Sequence, residues 1–344
     1  MVSDMTAPAF CYVVVAHESS GTERLVRRIR ALSPDAAVLV RFEDPDAFDA
    51  AALRRAGAIP FVSRVRVRWG TWSLTEAMLE ALAQAQAMTG ASHYVLISGQ
   101  DYPIRDLRRW EAGLAADGVD ALLEPIADHP QDWRFRWHAV DVTRPQHPGA
   151  YRLVRHAGWR LGTLTHPVVQ ILPRFTATDR HWLIGLARPW ARPPRGLRVT
   201  KCSQWMTLSD RALTRVLARH QADASLANFF RTVRISDESY VQSLLHAEPD
   251  LRITHSETTL KRFPPGRASP QWLDVDTLRE LAAGSAAPFA RKVAPDAGPE
   301  LFAAADALAA ADNAGAGTVA RSGVASPGVE RNHGAAEGLR ARTA

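Results

Sequence analysis

Cysteine is almost missing from this chain. Only Cys11 and Cys202 occur in 344 residues, which excludes a disulfide framework and a zinc site built from two close thiolate pairs, and fits a reducing compartment. Lysine is just as scarce, standing at positions 201, 261 and 292 alone. Since Lys and Arg together number 42 against 36 Asp and Glu, for a net charge of +6 and a pI near 9.8, the positive charge is nearly all arginine. Arginine's planar donor fork favours phosphate-bearing partners. An Ala- and Arg-rich composition is also what a GC-rich genome imposes on any protein, so the excess alone does not select nucleic acid as a partner.

Long apolar runs are absent too. Nothing approaches the roughly 18 uninterrupted apolar residues of a membrane span, and the opening MVSDMTAPAF carries an acid and no base ahead of its short apolar run, unlike a signal peptide. This predicts a soluble cytoplasmic protein, or one peripheral at a membrane. Several catalytic signatures are missing: no Gly-rich loop with Lys-Ser/Thr, no Gly-x-Gly-x-x-Gly, no Gly-x-Ser-x-Gly elbow. His129, His138, His147, His156 and His166 never take a metal-ligand spacing on one predicted helix. Two Asp-x-Asp pairs, Asp44-Pro-Asp46 and Asp274-Val-Asp276, have a cation-holding spacing. Neither sits where such a pair is expected, so no metal site is expected.

What is present is a core-forming chain. It is 46% hydrophobic with 10 Trp, 11 Phe and 5 Tyr, and at roughly 150 residues per domain it makes two units or one large α/β domain. Apolar runs at Cys11–Ala16, Ala37–Val40, Ile59–Val67, His93–Ile97 and Ala121–Ile126 alternate with helical patterns, the βαβ rhythm of a parallel sheet. The first helix carries Leu25, Val26, Ile29 and Leu32. Ser73-Leu-Thr-Glu76 reads as a capping box for a helix over about 74–88, stopped by Gly90. Residues 127–200 read as irregular. Regular structure resumes with a strand over Cys202–Leu208, a Ser209-capped helix and a helix over Asp237–His246. Beyond Val293 the Ala/Gly-rich composition reads as a disordered tail over 295–344, with one weak helix near Pro299–Asp312.

Parallel sheets bind ligands outside the carboxyl ends of their strands. The polar residues there are His17, the stretch Arg41–Asp46, Ser98–Asp101 and Glu124. Asp46 and Asp106 read as turn or helix caps. Asp101, between Gly99 and Pro103, would sit on a pinned backbone.

Taken in order, Tyr12-Val-Val-Val-Ala-His17, Trp69-Gly70, Leu96-Ile-Ser-Gly-Gln-Asp-Tyr-Pro-Ile104, Ser203-Gln-Trp205, Asp237-Glu-Ser-Tyr240 and Phe289-Ala-Arg-Lys292 resemble the core-2/I-branching β-1,6-N-acetylglucosaminyltransferase family, which includes the peptide O-xylosyltransferases, here as a bacterial cytosolic-type member. The resemblance implies a GT-A-like α/β fold with a Rossmann-like, mostly parallel sheet: an N-terminal extension over 1–9, a nucleotide-binding half over about 10–126 and an acceptor half over about 127–294. It implies an inverting transfer of GlcNAc or xylose from a UDP-sugar to a glycan or related acceptor without a metal cofactor. Glu238 falls where the family has its base. Lys292 falls on its diphosphate lysine, with Arg267 as the companion and Arg262 and Arg291 as rivals. Val15, His17, Glu43 and Asp101 fall on the donor side. Glu124, Arg134 or Arg136, and Trp205 fall on the acceptor side, and Trp69 and Trp205 are candidate sugar-stacking walls. Arg41-Phe-Glu43 departs from the family's His-x-Asp, and Ser236 stands where Pro is usual.

Two rivals remain from other classes. One is a non-catalytic glycan or nucleotide binder on the same fold, which the Arg41-Phe-Glu43 departure favours; the other is an arginine-rich nucleic-acid binder, for which no recognition motif is present.

Overall fold

The computed structural model describes residues 7–126, 135, 137–142, 169–175, 180–188, 190–195, 197–264 and 269–314. Seven strands, numbered here in chain order, form the central sheet: β1 (Phe10–Val15), β2 (Ala37–Phe42), β3 (Ile59–Val62), β4 (His93–Ser98), β6 (Ala121–Leu123), β10 (Thr207–Ser209) and β11 (Ile253–His255), in the order β11-β6-β10-β4-β1-β2-β3. Only β10 runs against its neighbours. The fold is therefore mixed α/β with a mainly parallel sheet.

Alternate residues of β1 feed opposite faces, as the two-residue period of a strand requires. Cys11 and Val13 pack with Met78 and Leu82 of α3 (Trp72–Thr89), Leu213 of α5 (Asp210–Ala222) and Leu244 of α7 (Tyr240–His246). Tyr12 and Val14 pack with Leu25, Val26 and Ile29 of α1 (Ser19–Leu32) and with Leu107 and Leu114 of α4 (Leu107–Asp117). Each such side chain contributes roughly 1.5–3 kcal/mol by leaving water. Helix ends follow local chemistry. Gly90 and Gly118 close α3 and α4 in the left-handed region at φ 59°, and Asp106 and Ser209 cap α4 and α5 by accepting the amides of Arg109 and Ala212. The capping box at Ser73–Glu76 does not form. Thr71 is the cap, accepting the Ser73 amide at 3.3 Å, because the helix starts at Trp72 and places Ser73 inside its first turn.

A second sheet of three short strands, β12 (Thr259–Lys261), β13 (Phe289–Arg291) and β5 (Asp101–Pro103), lies in the order β12-β13-β5. Against it pack Leu278 of α8 (Val275–Ala283) and Leu301, Ala304 and Ala305 of α9 (Pro299–Ala314). Helix α9 is thus part of the folded unit, extending it past 294 to 314. Asp306 pairs with Arg28 at 2.8 Å, and Asp312 accepts the Asp106 amide at 3.1 Å.

The 127–200 segment holds a third sheet, β7 (Trp137–Val142), β9 (Arg180–Ala187) and β8 (Val169–Phe175), with β9 central and antiparallel to both. Its irregular appearance came from Pro, Arg and His. Pro173 lies on the edge strand β8, the place in a sheet where a residue without an amide is tolerated.

Candidate active site

The carboxyl ends of β1, β2, β4 and β6 bring His17, Glu43, Ser98–Asp101 and Glu124 to one edge of the central sheet. Gly99 permits the closest approach there. A Cβ on it would lie 2.7 Å from Thr22 Oγ1 and 3.3 Å from Ala16 Cβ, and its amide donates to the Val15 carbonyl at 3.1 Å. Gln100 then reaches His17, with Nε2 3.0 Å from the imidazole Nε2 and 3.3 Å from Glu18 Oε1, while its carbonyl accepts the Val293 amide at 2.9 Å. The surrounding walls, and after them Lys292 and Arg291, lower the His17 pKa, with Glu18 and Glu43 opposing.

The small sheet supplies a row of charge. Lys261, Arg291 and Asp101 stand opposite one another across β12, β13 and β5. Asp101 is fully enclosed: one oxygen accepts the Ser98 amide at 2.8 Å and the other lies 3.4 Å from Arg291 Nε. Arg291 is 6% exposed, with its guanidinium carbon 4.4 Å above the Trp205 ring. Burial pushes the Asp101 carboxyl up, with Arg291 pulling against it; burial pushes the Arg291 guanidinium down, with Asp101 and Glu124 pulling against it. Lys261 ion-pairs with Glu124. Lys292 turns outward, its Nζ 2.8 Å from Ser269 Oγ and 5.6 Å from the Trp272 ring.

Glu238 ends a short 3-10 turn, Ser236–Glu238, that precedes α7. The turn follows Ile235, which adopts φ 56°, a left-handed conformation unusual for a β-branched residue. Asp237 is a buried member of this turn and not the cap of a helix, because the chain reaches α-helical form only at Tyr240. The Glu238 carbonyl accepts the Cys202 amide at 3.0 Å, and the next amide, Ser203, donates to the Glu124 carbonyl at 2.8 Å. The 202–203 segment is thus flanked by both acids. Glu238 is half-buried.

Not every expected residue joins this cluster. Arg134, Arg136 and Arg267 lie outside the described residues. Arg262 is held at the surface by Glu280 at 2.6 Å. Trp205 presents a ring face to Arg291, so that face is not a sugar wall. Arg41 is 1% exposed and structural: it donates to Ser63 Oγ at 2.9 Å and to the Val65 carbonyl, and lies 3.7 Å from Glu43. Glu43 in turn accepts the Val67 amide at 2.6 Å. The Arg41-Phe-Glu43 departure thus pins the loop after β3. Both Asp-x-Asp pairs spend an acid on local structure, since Asp44 accepts the Asp46 amide, reversing the cap expected of Asp46, and Asp274 caps α8. Lys261 was not marked as a site residue by the sequence, for nothing local marks a side chain that acts through register across a sheet.

A family model described as Core-2/I-Branching enzyme matches residues 12–280. Among solved structures, mouse xyloside xylosyltransferase 1 in its apo form superimposes with a TM-score of 0.31 at 8% identity, covering 73% of this chain and 88% of that one. A structure described as a putative glucose-1-phosphate thymidylyltransferase from Bacillus anthracis in complex with a sucrose gives 0.32 at 10% identity, covering 80% of this chain and 94% of that one. No curated protein matches. Among the described residues no helix is long and apolar enough to cross a membrane. With the family model spanning most of its length, the chain belongs to the Core-2/I-branching enzyme family of glycosyltransferases.

Proposed function

We propose that this glycosyltransferase is an inverting, metal-independent enzyme that moves N-acetylglucosamine, or xylose, from its UDP form to a hydroxyl of a glycan or glycoconjugate. The observation that carries this reading is the Arg291–Lys292 pair beside His17 at the carboxyl edge of the sheet. Among the described residues Nη1 of the buried Arg291 makes no hydrogen bond while Nε faces Asp101, and phosphate oxygens are the acceptors a guanidinium fork fits. Arg291 thereby takes the companion role beside Lys292. Asp101 and Trp205 act as positioning residues that hold its guanidinium.

In the reaction, the acceptor oxygen bonds to the anomeric carbon as the bond from that carbon to the β-phosphate oxygen breaks. Glu238 receives the acceptor's proton. The electron pair leaves on the UDP phosphate, where Lys292 and Arg291 meet the growing charge that a cation meets in other transferases. Glu124, tied to Lys261, lines the acceptor side, and Val15, His17 and Glu43 the donor side.

A thermal-shift panel of UDP, UDP-GlcNAc, UDP-xylose and UDP-glucose, with and without EDTA, tests this. Stabilisation by UDP and by one preferred UDP-sugar that survives EDTA is expected. Stabilisation that EDTA abolishes overturns the metal-free step.

A further inference from the structure

His246, the last residue of α7, and His255, the last of β11, face each other, with His255 opposite Leu123 at the carboxyl end of the parallel β6. Their rings stack with centroids 5.6 Å apart at 28°, and the two Nε2 atoms are 3.4 Å apart. His246 Nδ1 lies 2.7 Å from the Gln242 carbonyl, which only accepts, so Nδ1 carries the hydrogen and the neutral ring's lone pair sits on Nε2. A carbonyl-anchored Nδ1–H that leaves Nε2 as the ring's acceptor is the arrangement by which proteins orient a metal-ligating imidazole, and here that Nε2 is hydrogen-bonded to His255 Nε2, a contact a bound cation replaces. Two Zn–N bonds of about 2.0–2.1 Å at a tetrahedral angle place the nitrogens about 3.3–3.4 Å apart. The spacing of the pair matches that bite without movement of the backbone.

We propose that His246 and His255 form a two-imidazole site for a divalent transition ion of the zinc class, with water completing the shell. Among the described residues no group of three or more His, Cys, Asp or Glu could hold a metal ion, so two protein ligands set a weak, exchangeable site. The ion would join α7, the helix that follows the Glu238 turn, to β11, the edge strand paired with β6. None of its ligands belongs to the donor or acceptor residues named above.

Isothermal titration of ZnCl2 into the EDTA-stripped full chain at pH 7.5 tests it, against His246→Ala and His255→Ala. Wild type is expected to show one binding event that each variant loses, with an affinity drop of tenfold or more, and a melting temperature raised by about 1–3 °C at saturating zinc in wild type alone. The same zinc event in His255→Ala, or no event in wild type up to 1 mM zinc, overturns the proposal. UDP-induced stabilisation should be equal in wild type and both variants, so loss of the zinc event leaves the transferase reading standing.

Discussion

The central sheet and the small three-stranded sheet both deliver charge to one site, yet by opposite means. The central sheet ends in loops, and His17, Glu43 and Glu124 ride on turns beyond strands that are mostly apolar, the buried Arg41 of β2 being the charged exception. The small sheet places Lys261, Arg291 and Asp101 on the strands themselves, in direct register. A charge on a turn is solvated when no ligand is bound and costs the fold little. One on a buried strand must be paired, because stripping an ion of water without a partner costs several kcal/mol. Loop-borne residues should therefore be separable from stability, and strand-borne ones should not.

The largest effect sharpens this contrast. Glu238→Gln should lower kcat by about 10²–10⁴-fold, the range a general base supplies, while UDP affinity and the urea midpoint stay near wild type. Transfer and UDP-sugar hydrolysis assays with a denaturation curve check it, and full residual activity would remove Glu238 from the base role.

Asp101→Asn tests the other side. It takes from the buried Arg291 guanidinium its nearest counter-ion, so folding stability should drop by about 3 kcal/mol and UDP binding should weaken with it. Replacing both members, Asp101→Asn with Arg291→Met, should recover most of the stability and none of the UDP binding. If the single variant is as stable as wild type, the strand-borne pair is not the structural element proposed.

Leu301→Ala reaches the small sheet from behind. Leu301 is 4% exposed in the cluster with Tyr102, Leu260 and Leu278, and its truncation should cost about 2–3 kcal/mol by cavity formation. Because β5 and β13 share that cluster, UDP affinity should fall more than for a core truncation of equal cost in α1. Equal losses would break the link between α9 and the site.

The same contrast explains how much was legible in the chain. Cys11–Ala16, Ala37–Val40 and His93–Ile97 are apolar runs long enough to announce buried parallel strands, and Ser209, Gly90 and Asp106 signal helix ends by local chemistry alone. The three-residue strands Asp101–Pro103 and Phe289–Arg291 are too short to show a period. Asp101 therefore read as a turn acid, and its Arg291 partner, 190 positions along, was only one arginine among several. Glu238 was marked by family likeness, since an acid in a 3-10 turn carries no local pattern. The α9 helix was discounted for its alanines, although small side chains are what let Ala304 and Ala305 seat closely.

The smallest expected effect concerns histidines away from both charge systems. His93 opens β4 and stacks on Phe10 at 4.8 Å, and His220 of α5 bonds the Tyr240 hydroxyl through Nδ1 at 2.8 Å. Burial lowers both pKa values. Between those lowered values and the unfolded one near 6.5, the unfolded chain binds more protons than the folded one, so stability rises with pH there. Stability should be full above about pH 6.5 and erode as pH falls toward the folded values. Urea midpoints at pH 5.5, 6.5 and 7.5 should show this slope, and His93→Gln or His220→Gln should each flatten it. A slope that neither variant changes would place the acid sensitivity in His17, whose pKa is also lowered, because the raised Asp101 carboxyl gives a slope of the opposite sign.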